Sequence, residues 1–130
     1  MRVLLDTRTL LWWVGGDPRL GHVARRIIAD NATEVLVSVA CLLEIVLKVR
    51  AGKLRVDVAT LAADIRGQGF RMLGIELAHL TGMVALPTHH RGPFSFDHLL
   101  IAQAIAEDAT FITPDRHAQR YPVRLLSCTD

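Results

Sequence analysis

Short apolar runs alternate with longer amphipathic segments along this chain, and that alternation restricts its fold more than any other feature. Val3-Leu4-Leu5, Val35-Leu36-Val37, residues 70–73 and Phe111-Ile112 are too short for helices, and residues 123–126 offer a fifth run of the same kind. Uninterrupted apolar runs of this length suit strands covered on both faces. Between them lie helix-length stretches at about 7–14, 18–30, 39–50, 56–66, 76–85 and 96–107. Pro18 suits the opening of the second, Ser38 is placed to cap the third, and Ser95 the last. Strands separated by helices need crossover connections. The expected fold is therefore α/β, with a central parallel sheet of four to five strands between helical layers.

The 130 residues, 51% hydrophobic and 22% charged, suit one domain, 1–130, with a real core rather than a disordered chain. A net charge of +2 is too small for a strongly basic nucleic-acid binder, so any grip on phosphate must come from local clustering. No apolar run has the length of a membrane span, and Asp6 and Arg8 interrupt the only stretch resembling a leader. Cys41 and Cys128 lie far apart, Cys41 among apolar neighbours. Both read as buried free thiols of a protein at home in a reducing cytoplasm.

Four acids stand out: Asp6 directly after the first apolar run, Glu44 inside an apolar helix, Asp97 in a helix start, and Asp115 just beyond Phe111-Ile112. Each has an ordinary explanation. Asp6 can cap a helix, Glu44 can pair with Lys48 four residues on, Asp97 can favour the helix dipole, and Asp115 can close a turn. Asp97 resists its explanation, because Leu100, Ile101 and Ala104 share its side of the helix. Parallel sheets bind ligands beyond the carboxyl ends of their strands, where the strand order reverses. Four carboxylates meeting there repel one another unless a cation shares the site. Oxygen-only ligation points to Mg²⁺ or Mn²⁺. Adjacent His89 and His90 make a poor chelating pair for zinc. Basic residues surround the same edge, and Arg8 and Arg91 are the candidates to hold a phosphate.

In Leu4-Leu5-Asp6-Thr7 with Leu10-Leu11-Trp12-Trp13, Val37-Ser38 leading to Leu43-Glu44-Ile45 and Lys48, Gly52-Lys53-Leu54, Phe96-Asp97-His98 through Ala104, and Ile112-Thr113-Pro114-Asp115, the chain resembles a PIN domain over essentially its full length. Specifically it resembles the ribonuclease toxin of a VapBC-type toxin–antitoxin pair. The resemblance implies an α/β/α sandwich that gathers Asp6, Glu44, Asp97 and Asp115 as metal ligands and catalytic acids. It sets Thr7 and Thr113 at hydroxyl positions beside them, as substrate-binding candidates with Arg8 and Arg91. It also implies Mg²⁺- or Mn²⁺-dependent cleavage of RNA, transfer RNA or ribosomal RNA among the targets, together with a homodimer and an inhibiting antitoxin. The chain departs from close relatives at Arg8, where they often carry His. Its Gly92-Pro93-Phe94-Ser95-Phe96-Asp97-His98 segment is two residues longer than the usual turn and lacks that turn's first acid.

The alternative is a non-catalytic PIN-like module that binds RNA or an antitoxin. Other phosphate-handling α/β enzymes fit poorly. A haloacid-dehalogenase phosphatase needs a second Asp where Arg8 stands, and a receiver domain needs an acid ending strand three, where Phe70-Arg71-Met72-Leu73-Gly74 has none. Trp12-Trp13 reads as core packing on one side, with a partner surface on the other.

Overall fold

The computed structural model of the chain describes residues 1–88 and 96–130. Strands β1 (Arg2–Leu5), β2 (Glu34–Ser38), β3 (Arg71–Leu73), β4 (Thr110–Thr113) and β5 (Leu125–Ser127) form one sheet in the order β3-β2-β1-β4-β5. Every pairing is parallel, and Leu5 of the central strand sits between Val37 and Ile112. The chain steps outward from β1 through β2 to β3, then returns past β1 to place β4 on its other side. Right-handed crossovers made in opposite directions cover opposite faces of a sheet. That is why Val3, Leu4 and Leu5 are wholly buried.

The described helices are α1 (Thr7–Val14), α2 (His22–Ala29), α3 (Val39–Arg50), α4 (Val58–Gly67), α5 (Leu77–Ala85) and α6 (Phe96–Ala106). Local chemistry accounts for most starts. Asp6 caps α1, Ser38 Oγ accepts the Ala40 N–H at 3.0 Å to cap α3, and Asp57 caps α4. Glu76 and His79 form a reciprocal capping box on α5. Ser95, the expected cap of α6, lies outside the described residues, as do His89, His90 and Arg91.

Two expectations need revision. The second helix opens at His22 rather than Pro18, because Asp17 Oδ1 takes the Arg19 N–H at 2.9 Å and turns the chain there. Its start is fixed instead by the C-terminal tail: Gly21 N–H donates to Cys128 O at 2.7 Å, and His22 N–H to Asp130 Oδ1 at 2.8 Å. Nor does α6 have a single core-facing stripe. Leu99 through Ala104 are all buried, because α6 packs against α3, α5, β1 and β4 at once.

The tail contact leaves no room for a side chain at Gly21. A Cβ there would stand 2.5 Å from Asp130 Oδ1 and 2.7 Å from its backbone nitrogen. Gly21→Ala is expected to destabilise the fold by about 1–3 kcal/mol in urea denaturation, with the unfolding slope unchanged.

Candidate active site

The strand order reverses between β1 and β4, so the crevice beyond their carboxyl ends is where a parallel sheet offers a site. Asp6 opens this crevice. Its N–H donates to Ile112 O at 3.1 Å, extending the β1–β4 ladder by one residue. The side chain is 4% exposed. Oδ1 accepts the Thr9 N–H at 2.7 Å as the cap of α1, while Oδ2 accepts Thr113 Oγ1 at 2.6 Å. The capping reading of Asp6 and the site reading are thus both realised, one oxygen for each. Burial raises the Asp6 carboxyl above the usual range, against the pull of the Thr113 and Thr9 bonds and the Arg8 charge.

Thr113 joins two acids. Its hydroxyl donates to Asp6 and accepts the Asp115 N–H at 3.0 Å. Asp115 then caps the 3₁₀ turn Arg116–Arg120, taking the His117 N–H at 2.9 Å. Glu44 arrives from α3 with both oxygens engaged: Thr7 Oγ1 donates at 2.6 Å, and Lys48 Nζ lies 3.1 Å away. The expected Glu44–Lys48 pair exists, and it does not remove Glu44 from the crevice.

Asp97 completes the set from the first turn of α6. Its carboxyl is pushed up to about 6, by burial first and then by the charge of Asp115, Asp6 and Glu44, with a hydrogen bond to Asp115. The tertiary structure therefore brings the other three sequence-nominated acids within electrostatic reach of Asp97. Among the described residues, no three Asp, Glu, His or Cys side chains already surround a single metal-binding point. The chemistry of the donors nonetheless suits a hard divalent cation: they are all carboxylate oxygens, and their mutual repulsion is the conflict such an ion relieves.

The remaining candidates are distributed unevenly. Thr7 and Thr113 turn their hydroxyls onto carboxylates, so they orient acids. Arg8 is exposed beside Asp6, and Arg91 lies outside the described residues. His98, next to Asp97, meets Tyr121 Oη through Nε2 at 2.8 Å. Trp13 packs on Phe70 at a ring separation of 6.1 Å, and Trp12 lies under the Arg19 guanidinium at 4.8 Å. Cys41 and Cys128 are buried free thiols, and burial pushes Cys41 up to about 12. The sequence reading missed Thr9, whose N–H holds Asp6 and whose hydroxyl donates to Ile112 O at 2.9 Å. Its signal was its place three residues beyond the cap.

The family model of the PIN domain matches residues 3–123. The chain belongs to the PIN-domain family. Among solved structures, VapBC2 from Rickettsia felis, bound to a DNA fragment from their promoter, is 19% identical with a TM-score of 0.72, over 98% of each chain. DNA-bound VapBC from Salmonella typhimurium is 16% identical with a TM-score of 0.68, again over 98% of each. VapC20 from Mycobacterium tuberculosis, a Sarcin-Ricin loop cleaving toxin, is 21% identical with a TM-score of 0.54, over 84% of this chain and 86% of that one. At these identities the likeness is one of fold. No curated protein matches the chain.

The crowding of acids in this PIN domain has a measurable pH signature. A carboxyl whose folded pKa is raised stabilises the fold below its unfolded value near 3.8, and that contribution is lost as pH rises through about 6. Ionised Asp97 then costs about 1–2 kcal/mol above pH 7, allowing for its partial exposure. In chelator, Asp97→Asn should melt about 3–8 °C higher than wild type at pH 7.5 and show no such gain at pH 4. Thermal denaturation at the two pH values checks it.

Proposed function

We propose that this PIN domain is a Mg²⁺- or Mn²⁺-dependent endoribonuclease acting as the toxin of a toxin–antitoxin pair. The observation that carries the reading is Asp97, a half-buried carboxyl driven upward by burial and by three further acids at the crevice between β1 and β4. Asp6, Glu44 and Asp97 would hold the cation, with Asp115 binding directly or through water. A bound divalent ion would make water nucleophilic near neutral pH and draw charge from a phosphate oxygen.

The chain's own residues divide the rest of the work. Thr9 and Thr113 hold Asp6 from two sides, so its carboxylate cannot rotate away from the crevice. Thr7 and Lys48 do the same for Glu44. One of the site's carboxylates would accept the proton of an attacking water. Arg8 stands two residues past Asp6, where a guanidinium can grip the substrate's phosphate, and Arg91 is assigned the same role.

RNA as the polymer is supported by the likeness to VapC20, a Sarcin-Ricin loop cleaving toxin. An antitoxin partner is supported by the two VapBC assemblies. The exposed apolar rows Val39, Leu43 and Leu47 on α3 and Leu77, Leu80 and Val84 on α5 favour protein partners, a second copy among them. No described helix is long and apolar enough to cross a membrane; a cytoplasmic setting belongs to the same proposal. The single domain 1–130 is part of the same reading. The rival reading is a PIN-like module that binds RNA or antitoxin without cutting.

Incubating the antitoxin-free protein with labelled cellular RNA separates the two. Discrete cuts are expected with Mg²⁺ or Mn²⁺, none with chelator, and a rate about 100-fold lower or less in Asp97→Asn. Folded wild-type protein that binds RNA and never cuts it would favour the binding module. Cuts that persist unchanged in Asp97→Asn would place the chemistry elsewhere.

A further inference from the structure

A buried polar network lies outside the acidic crevice, in the middle of the most apolar helix. Gln103 interrupts the run Leu99-Leu100-Ile101-Ala102 and Ala104 of α6 and is wholly buried, as is Ser38. Its Oε1 accepts the Ser38 hydroxyl at 2.6 Å; its Nε2 donates to Gly74 O at 3.2 Å and reaches His79 Nδ1 at 3.4 Å. His79, 1% exposed, accepts the Glu76 N–H on Nδ1 at 3.0 Å. That assigns its proton to Nε2, which faces Glu107 Oε2 at 3.1 Å. No described buried side-chain polar atom lacks a partner.

Packing alone does not explain a glutamine here. An amide costs free energy to bury unless each of its groups is bonded, and leucine or methionine would fill the space without that demand. Ser38 sharpens the point. Gln103 Oε1 can only accept, so the Ser38 proton is committed to it and the bond has a fixed direction, while the Ser38 oxygen accepts the Ala40 N–H. Ser38 stands six residues before Glu44, and Gln103 six residues after Asp97. Each helix is a stiff rod, so pinning one to the other at these points sets where the two carboxylates stand.

We propose that Gln103 and Ser38 are positioning residues: their buried hydrogen bond locks α3 against α6 and sets the separation of Glu44 from Asp97 for cation binding. This inference rests on the metal-dependent reading above. Gly74 in the loop after β3 and His79 on α5 brace Gln103, and Glu107, just past α6, holds His79 in turn, leaving the Gln103 amide one orientation.

Calorimetric titration of the full chain with Mn²⁺ tests it, using wild type, Gln103→Met, Ser38→Ala, the double variant and Ser38→Thr, with folding checked by circular dichroism. The Kd for Mn²⁺ is expected to rise about tenfold in Gln103→Met and in Ser38→Ala. The double variant should bind no worse than either single one, because one bond is lost once, and Ser38→Thr should bind as wild type does. RNA cleavage by the single variants should recover toward the wild-type rate at raised Mn²⁺, a response that general destabilisation does not produce. Should Gln103→Met fail to fold, Ser38→Ala against Ser38→Thr decides the matter. Folded variants with wild-type Mn²⁺ affinity overturn the inference alone. Wild-type protein that takes up no Mn²⁺ overturns the metal reading and this inference with it.

Discussion

Asp6 is a carboxylate with almost no access to water, held between the end of the central strand and the start of the first helix. Much of the structure is arranged to make that placement tolerable. Thr9 supplies a backbone N–H and Thr113 a hydroxyl, one to each oxygen, and the dipole of α1 adds its positive end. Thr113 can reach Asp6 only because β4 lies beside β1, which follows from the chain returning across the sheet after β3. The reversal of strand order and the solvation of one buried acid are therefore the same structural event. It also opens the crevice into which Glu44, Asp97 and Asp115 are brought.

The other acids show how unequal that compensation is. Glu44 has a lysine and a threonine, and Asp115 has its turn. The Asp97 carboxyl is pushed up to about 6, by burial first and then by the charges of Asp115, Asp6 and Glu44. Burial and neighbouring like charge together make Asp97 an electrostatically costly acid. Such a cost is the mark of a functional site more often than of a structural one. The helix carrying Asp97 is buried on nearly every side, and Gln103 ties it to the β2–α3 junction. The costly acid is thus mounted on one of the least movable parts of the molecule.

Much of this was legible beforehand. β1, β2, α1 and α3 announce themselves through short apolar runs, capping residues and glycine stops, and they fall within a residue or so of where the pattern set them. Three of the four acids were nominated from strand–helix junctions and Glu44 from two turns into an apolar helix, and the ordinary roles weighed against them coexist with their placement at the crevice. Asp6 is both a cap and a crevice acid, and Glu44 both pairs with Lys48 and faces the others. Illegible were the features that depend on distant segments. Pro18 looks like a helix opener by itself; only the C-terminal tail, bonded to Gly21 and His22, shows why α2 waits until His22. Gln103 looks like an ordinary polar residue until Ser38, Gly74 and His79 close around it.

What the sequence by itself determined, then, is the set of elements and the chemistry attached to their ends. Hydrophobic period, capping and turn residues act over a few neighbours and need no knowledge of the rest of the chain. Its likeness to PIN domains was already carried by those local segments in order. What only the tertiary structure decided is which ends meet. The strand order, the bridge from Thr113 to Asp6, the crowding of Asp97 and the full burial of α6 all involve partners tens of residues apart. Those contacts depend on how the whole chain closes over its core, which no local pattern encodes.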